Sequence, residues 1–168
     1  MSVNWTITTP LGNFQPIENT ETTQRHPYGT MVDAVHATYG AGKFVYAKGV
    51  ASTVAGDFCT INYQTGVTVR ADTTAATSFG PGGVAMSANV ASQYGWYQVF
   101  GISVANCATT VAAAKYLQTT ATVGVVDDTT TAGKTIVGMT SMGASGTPAA
   151  NQLVAFLNFP WLAAAAIP

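Results

Sequence analysis

The chain has 168 residues with six Lys and Arg against seven Asp and Glu, a net charge of −1, and only 8 % charged residues beside 48 % hydrophobic ones. That length suits one domain, and the charged share lies far below the usual ~25 %. The composition excludes disorder, which couples low hydrophobicity to high net charge. It also excludes a nucleic-acid grip, which needs clustered Lys and Arg, because the basic residues here are scattered from Arg25 to Lys134.

Thr, Ser, Asn, Gln and Gly supply the polar surface instead, which suits a subunit that leaves little surface free. Two cysteines, Cys59 and Cys107, show neither a CxxC nor a Cys/His spacing. They read as small buried hydrophobes rather than as a bridge or zinc ligands. The N-terminus, MSVNWTITTPLG, has no basic region and no apolar core, so no signal peptide is expected. No run approaches the ~20 apolar residues of a membrane span, and no membrane partner is expected. A soluble product made inside the cell follows as the expectation.

The first forty residues differ from the rest. They hold Pro10, Pro16 and Pro27, both glutamates and both histidines. Prolines at such intervals forbid a long helix and disfavour central strands. Residues 1–40 therefore read as an extended arm with one short strand near Trp5 to Thr9. Either the arm is a frayed terminus, or it lies across a neighbour through isolated apolar anchors, Trp5, Phe14, Ile17 and Tyr28.

A β-domain is expected over residues 41–161, with residues 162–168 a C-terminal tail. Phe44 to Ala51 reads as a strand, and Phe58 to Tyr63 pairs with Gly66 to Ala71 across a turn at Gln64-Thr65-Gly66. In the latter, Val67, Val69 and Ala71 alternate with Thr68 and Arg70, the pattern of a half-buried strand with the valines inward. Gly80-Pro81-Gly82-Gly83 reads as a tight turn before a brief strand, Val84 to Met86. The aromatic run Tyr94 to Ala105 follows, with Trp96, Phe100, Ile102 and Val104 on one face and Tyr97, Val99 and Ala105 on the other. Apolar character on both faces predicts cover on both, by the second half of a sandwich or by another subunit.

Ala108 to Ala114 is ambiguous between helix and strand. Lys115 to Val126 and Thr135 to Met139 read as strands, and Gln152 to Trp161 as a last strand stopped by Pro160. A weak echo of Phe44–Val50 in Trp96–Ile102, and of Gly83–Ser87 in Ile136–Thr140, suggests two similar β-units. The expected fold is all-β, a small antiparallel barrel or sandwich with an extended N-terminal arm.

Chemistry finds little material. Asp127 and Asp128 are neighbours, which point to opposite faces of a strand, and the alternating acids of a calcium loop are missing. They read as a solvated turn. His26 and His36 lack paired Cys, Ser or carboxylate spacing and read as surface or capping residues. There is no G-x-S-x-G, P-loop or HExxH, so no catalytic residue, metal ligand or cofactor is expected.

The runs GGVAMSANVASQYGWYQVFGISVAN, KYLQTTATVGVVDDTTTAGKTIVGM and QLVAFLNFPW resemble the head decoration, or cement, proteins of tailed bacteriophages. The match covers roughly Gly42 to Trp161. It rests on Gly83, Val84 and Ala85, on Tyr94-Gly95-Trp96-Tyr97-Gln98, and on Gly101, Asp127-Asp128 and Asn158-Phe159-Pro160. The resemblance implies a β-rich virion subunit, commonly trimeric, that binds the major capsid protein on the outside of the shell and stabilises its lattice, without catalysis. The interface residues expected for such a subunit are Trp5, Phe14, Ile17, Tyr28, Trp96, Tyr97, Phe159 and Trp161. Another reading is a head-fibre or tail-associated module that contacts host glycans through exposed Trp96 and Tyr97; a small hydrolase is a third.

Overall fold

Runs of β-branched and aromatic residues cut by glycine make strands. The computed structural model describes residues 5–9, 15–74, 79–129 and 134–164, and among them it has eleven strands and no helix. These are β1 (Thr6–Ile7), β2 (Met31–His36), β3 (Gly40–Lys48), β4 (Phe58–Ile61), β5 (Thr68–Arg70), β6 (Gly80–Ala85), β7 (Tyr94–Asn106), β8 (Tyr116–Thr119), β9 (Val126–Asp127), β10 (Thr135–Ser141) and β11 (Gln152–Leu162). All belong to one antiparallel sheet in the order β1-β2-β3-β7-β6-β11-β10-β8-β9, with β4 beside β6 and β5 outside β4. The all-β expectation holds. The barrel does not, because the sheet stays open.

β7 is the spine, pairing with β3, β6 and β11. Opposite Lys43 and Phe44 of β3 its register slips from Phe100 to Gln98, so Val99 is an extra residue, and Gly101 just beyond has φ 96°. One inserted residue exchanges the faces of everything that follows. Gln98 opposes Val84, whose side chain shares a core with Ala105, while Tyr97 opposes Ala85 in a different cluster. Trp96 and Gln98 are therefore continued by Ser103 and Ala105. Phe100, Ile102 and Val104 continue the face of Tyr97 and Val99, not that of Trp96 as strict alternation predicts.

Three apolar clusters fill the fold. Trp96 packs with Trp5, Ile17, Phe44 and Tyr46. Tyr97 and Val99 pack with Val45, Cys59, Ile61 and Ala85. Ala105 joins Phe58, Leu117, Ile136, Leu153 and Leu157. Over Gly95–Val99 the cover predicted for both faces of β7 is thus supplied by the chain itself.

That arrangement corrects the arm. Residues 15–30 lie along the start of β7: Trp96 Nε1 donates to the carbonyl of Gln15 (2.9 Å), Gln15 Nε2 donates to that of Tyr94 (2.7 Å), and the amide and carbonyl of Glu21 bond Tyr94. Trp5 and Ile17 are buried in the cluster around Trp96. Burying two large side chains, worth about 1.5–3 kcal/mol each for an aliphatic one, holds this segment on its own sheet. The β2–β3 hairpin also runs straight across residue 40.

Several local expectations change for steric reasons. Gly80-Pro81-Gly82-Gly83 is strand, not turn: Pro81 and Gly80 pair Trp161 and Leu162, and Gly82 and Gly83 pair Thr60 and Cys59. A Cβ on Gly82 would lie 2.5 Å from Phe58 Cζ, and one on Gly83 2.8 Å from the carbonyl of Gln98, so these glycines admit close approach. In β5 the inward residue is Thr68, donating to the carbonyl of Lys48 (2.8 Å), while Val67 faces solvent. Lys115 to Val126 is not one strand but the β8–β9 hairpin. Pro160 does not stop β11: it is buried inside the strand, beside a register slip opposite Gly138, and the strand runs on to a buried Leu162. Residue 162 is therefore strand rather than tail.

An ion pair between buried Asp57 and half-buried Arg70 ties the remote pieces together. The carboxylate of Asp57 accepts from Arg70 Nε (2.7 Å), Asn106 Nδ2 (3.0 Å) and the amide of Val54 (3.1 Å), and Arg70 also donates to the carbonyl of Val123 (3.0 Å).

Candidate functional site

Several of the titratable groups make structural contacts. Among the described residues no three of His, Cys, Asp and Glu come together to hold a metal ion. Cys59 and Cys107 are free and buried, as expected. Burial raises both thiol pKa values, that of Cys107 to about 11, which keeps them protonated. Asp127 Oδ1 accepts the amide of Asp128, and Asp128 Oδ2 that of Ala112. His36 caps its turn, Nδ1 accepting the amides of Thr38 and Tyr39. His26 departs from expectation: it is buried between Tyr46 and Trp96, with ring centroids 5.1 and 5.4 Å away. Desolvation lowers its pKa, the Arg25 charge adds to the fall, and Glu21 opposes it.

The residues expected at an interface separate into two groups. Trp5, Ile17, Trp96 and Tyr97 are buried in the chain's own core and present no contact surface. Tyr97 is held there by hydrogen bonds to Asn89 and Thr68. Tyr28 is half-buried, stacked on Tyr94 and filling the space a side chain on Gly66 would need. Phe14 lies outside the described residues. Phe159 and Trp161 are exposed, 47 % and 51 %.

Around those two the fold assembles residues that sequence reasoning assigned elsewhere. Past the bulge in β7, Phe100, Ile102 and Val104 face outward beside Asn158, Phe156 and Val154 of β11. The ring of Phe100 meets those of Phe156 (5.9 Å) and Phe159 (5.8 Å). Two residues beyond Phe159, Trp161 pairs with exposed Val137 on one side and with Pro81 on the other. The result is a belt of apolar side chains on one face of the sheet. Within it Phe159 has a φ of 47°, in the left-handed region that bulky residues avoid.

Trp161 also borders a cleft of about 700 Å3, walled by the β4–β5 hairpin (Ile61, Tyr63, Val67) and the entry to β6 (Phe79, Pro81). Among the described residues, no Asp, Glu, Lys, Arg or His lines it. The signal for the belt was present as β-branched and aromatic residues in Gln152 to Trp161. Its continuation through Phe100 was hidden by the bulge, and Phe79 and Val67 reach the cleft through pairings of distant segments.

No family model and no curated protein matches the chain. Among the described residues, no helix is long and apolar enough to cross a membrane.

Proposed function

We propose that the protein is a non-enzymatic structural subunit of a virion, which docks on the outer surface of an assembled capsid and stabilises its coat lattice as phage head decoration proteins do. The observation that carries this reading is the belt of exposed Phe156, Phe159, Val137 and Trp161 around half-buried Phe100, on a protein with few charges. Contiguous exposed apolar patches mark interaction surfaces, and aromatic residues dominate the energetics of protein interfaces. Phe159 adds to it. Folding alone favours Gly or Asn at positive φ, so an exposed phenylalanine held there fits a contact role better than a stability role.

A decoration subunit acts by mass action, because binding only the folded lattice raises the lattice's apparent stability. Many copies on a symmetric shell multiply a modest contact. A trimer, with sister subunits sharing part of the belt, belongs to the same proposal. An uncharged contact would also hold its affinity in salt. The glycan reading loses its first basis, since Trp96 and Tyr97 are buried.

The test is co-sedimentation of the purified protein with empty heads, lacking it, of the virus that encodes it. Saturable occupancy and a higher melting temperature of the heads are expected. Phe156→Ser and Phe159→Gly together should cut occupancy at least about tenfold while the subunit stays folded. Heads that neither bind nor gain stability would overturn the proposal.

A further inference from the structure

We infer that the cleft bordered by Trp161, Phe79 and Tyr63 is a binding site for a neutral carbohydrate, which meets the proposed docking belt at Trp161 and extends away from it along Phe79 and Tyr63. Its volume of about 700 Å3 falls within the range of small-molecule sites, about 300–1,000 Å3. Phe79 and Trp161 leave half their surface to solvent, 56 % and 51 %, while Tyr63 is half-buried at the wall. The C–H faces of a pyranose stack on such rings, as other flat apolar faces do.

The lining selects by charge. Among the described residues it has no acid, no base and no histidine, and burying an unpaired charge there would be costly, so the occupant is neutral. Hydroxyl partners are at hand. Thr65 lies on the wall, and Asn62 Oδ1 accepts the amides of Gln64 and Thr65 (both 3.0 Å), which leaves its NH2 to donate, whereas the buried Thr60 hydroxyl is already given to the carbonyl of Val69. A peptide would bring backbone N–H and C=O groups that need partners when buried. A sugar ring keeps most of its hydroxyls toward water. The floor is rigid, because Trp161 pairs Pro81 across the β6–β11 ladder.

The full-length chain supplies its own reporter, since Trp5 and Trp96 are buried and Trp161 is exposed. The experiment is an array of neutral hexose and N-acetylhexosamine oligosaccharides, followed by fluorescence titration with those that bind. The expected result is binding to at least one, with a blue shift, less acrylamide quenching and no loss in added salt. Measured by titration calorimetry, since the Trp161 variants lack the fluorescent reporter, Trp161→Ala and Phe79→Ala should each weaken binding at least about tenfold, and Trp161→Phe should retain most of it. A blank array, or undiminished binding by Trp161→Ala, would overturn the inference. So would sugar-free shielding of Trp161 that grows with protein concentration, which would give the cleft to a second copy. The head-binding assay is independent of all three outcomes, so either reading can fail alone.

Discussion

The two halves of β7 meet opposite fates within thirteen residues. From Gly95 to Val99 every residue is buried, with Trp96 sealed by residues 15–30 on one face and Tyr97 held by Asn89 and Thr68 on the other. From Phe100 to Asn106 burial alternates, and the outward residues stay partly exposed. Composition does not separate the halves. The bulge at Val99 does, together with the presence of a second layer of chain over only the first half. Aromatic residues are core where the chain returns to cover them and contact surface where it does not.

The largest expected effect breaks the sealed half. Trp96→Ala removes a fully buried indole and the hydrogen bond that anchors Gln15, and should cost about 3–5 kcal/mol. Denaturant unfolding checks this, and a midpoint unchanged from the parent protein would show that residues 15–30 do not depend on it. Deleting residues 2–30 is for the same reason a test of folding rather than of docking.

A smaller effect sharpens the comparison through pH. The pKa of His26 is depressed in the fold, first by burial and then by Arg25, so the unfolded chain takes up its proton first as pH falls. The stability contributed by neutral His26 is complete above the free value of about 6.5. It declines below that value until the depressed folded pKa is passed. Melting temperatures should fall on acidification through this window, and His26→Phe should flatten that part of the profile. An identical profile in the variant would remove His26 from the account.

The smallest effect belongs to the open half. Phe159→Gly relieves a left-handed phenylalanine, and should leave stability within about 0.5–1 kcal/mol of the parent or raise it. A loss of several kcal/mol in thermal or denaturant unfolding would mean that Phe159 is core and that the belt is not a free surface.

Much of the fold is legible in the residues. The β4–β5 hairpin follows from two β-branched runs flanking Gln64-Thr65-Gly66, and the buried cysteines from their strand contexts. What misleads is local grammar overruled by distant partners. Gly80-Pro81-Gly82-Gly83 carries turn residues, yet Phe58 and Gln98 press so close that only glycine fits in a strand there. Pro160 signals a stop, yet a bulge opposite Gly138 accommodates it within β11. His26 looks like a polar residue in a polar arm, yet Tyr46 and Trp96 enclose it.

By itself, then, the sequence determined the strand content and the scarcity of charged and titratable residues, because these depend on residue type and period alone. Which aromatics are core and which are exposed was decided by tertiary structure. One extra residue at Val99 reverses the faces of β7, and the return of residues 15–30 over Trp96 uses up the anchors that Trp5 and Ile17 would otherwise offer to a neighbour. Trp161, Phe79 and Val67 stand around one cleft because β4, β5, β6 and β11 pair across nearly a hundred residues of chain. Side-chain pattern specifies a strand's character, but only its neighbours specify which side is left for another molecule.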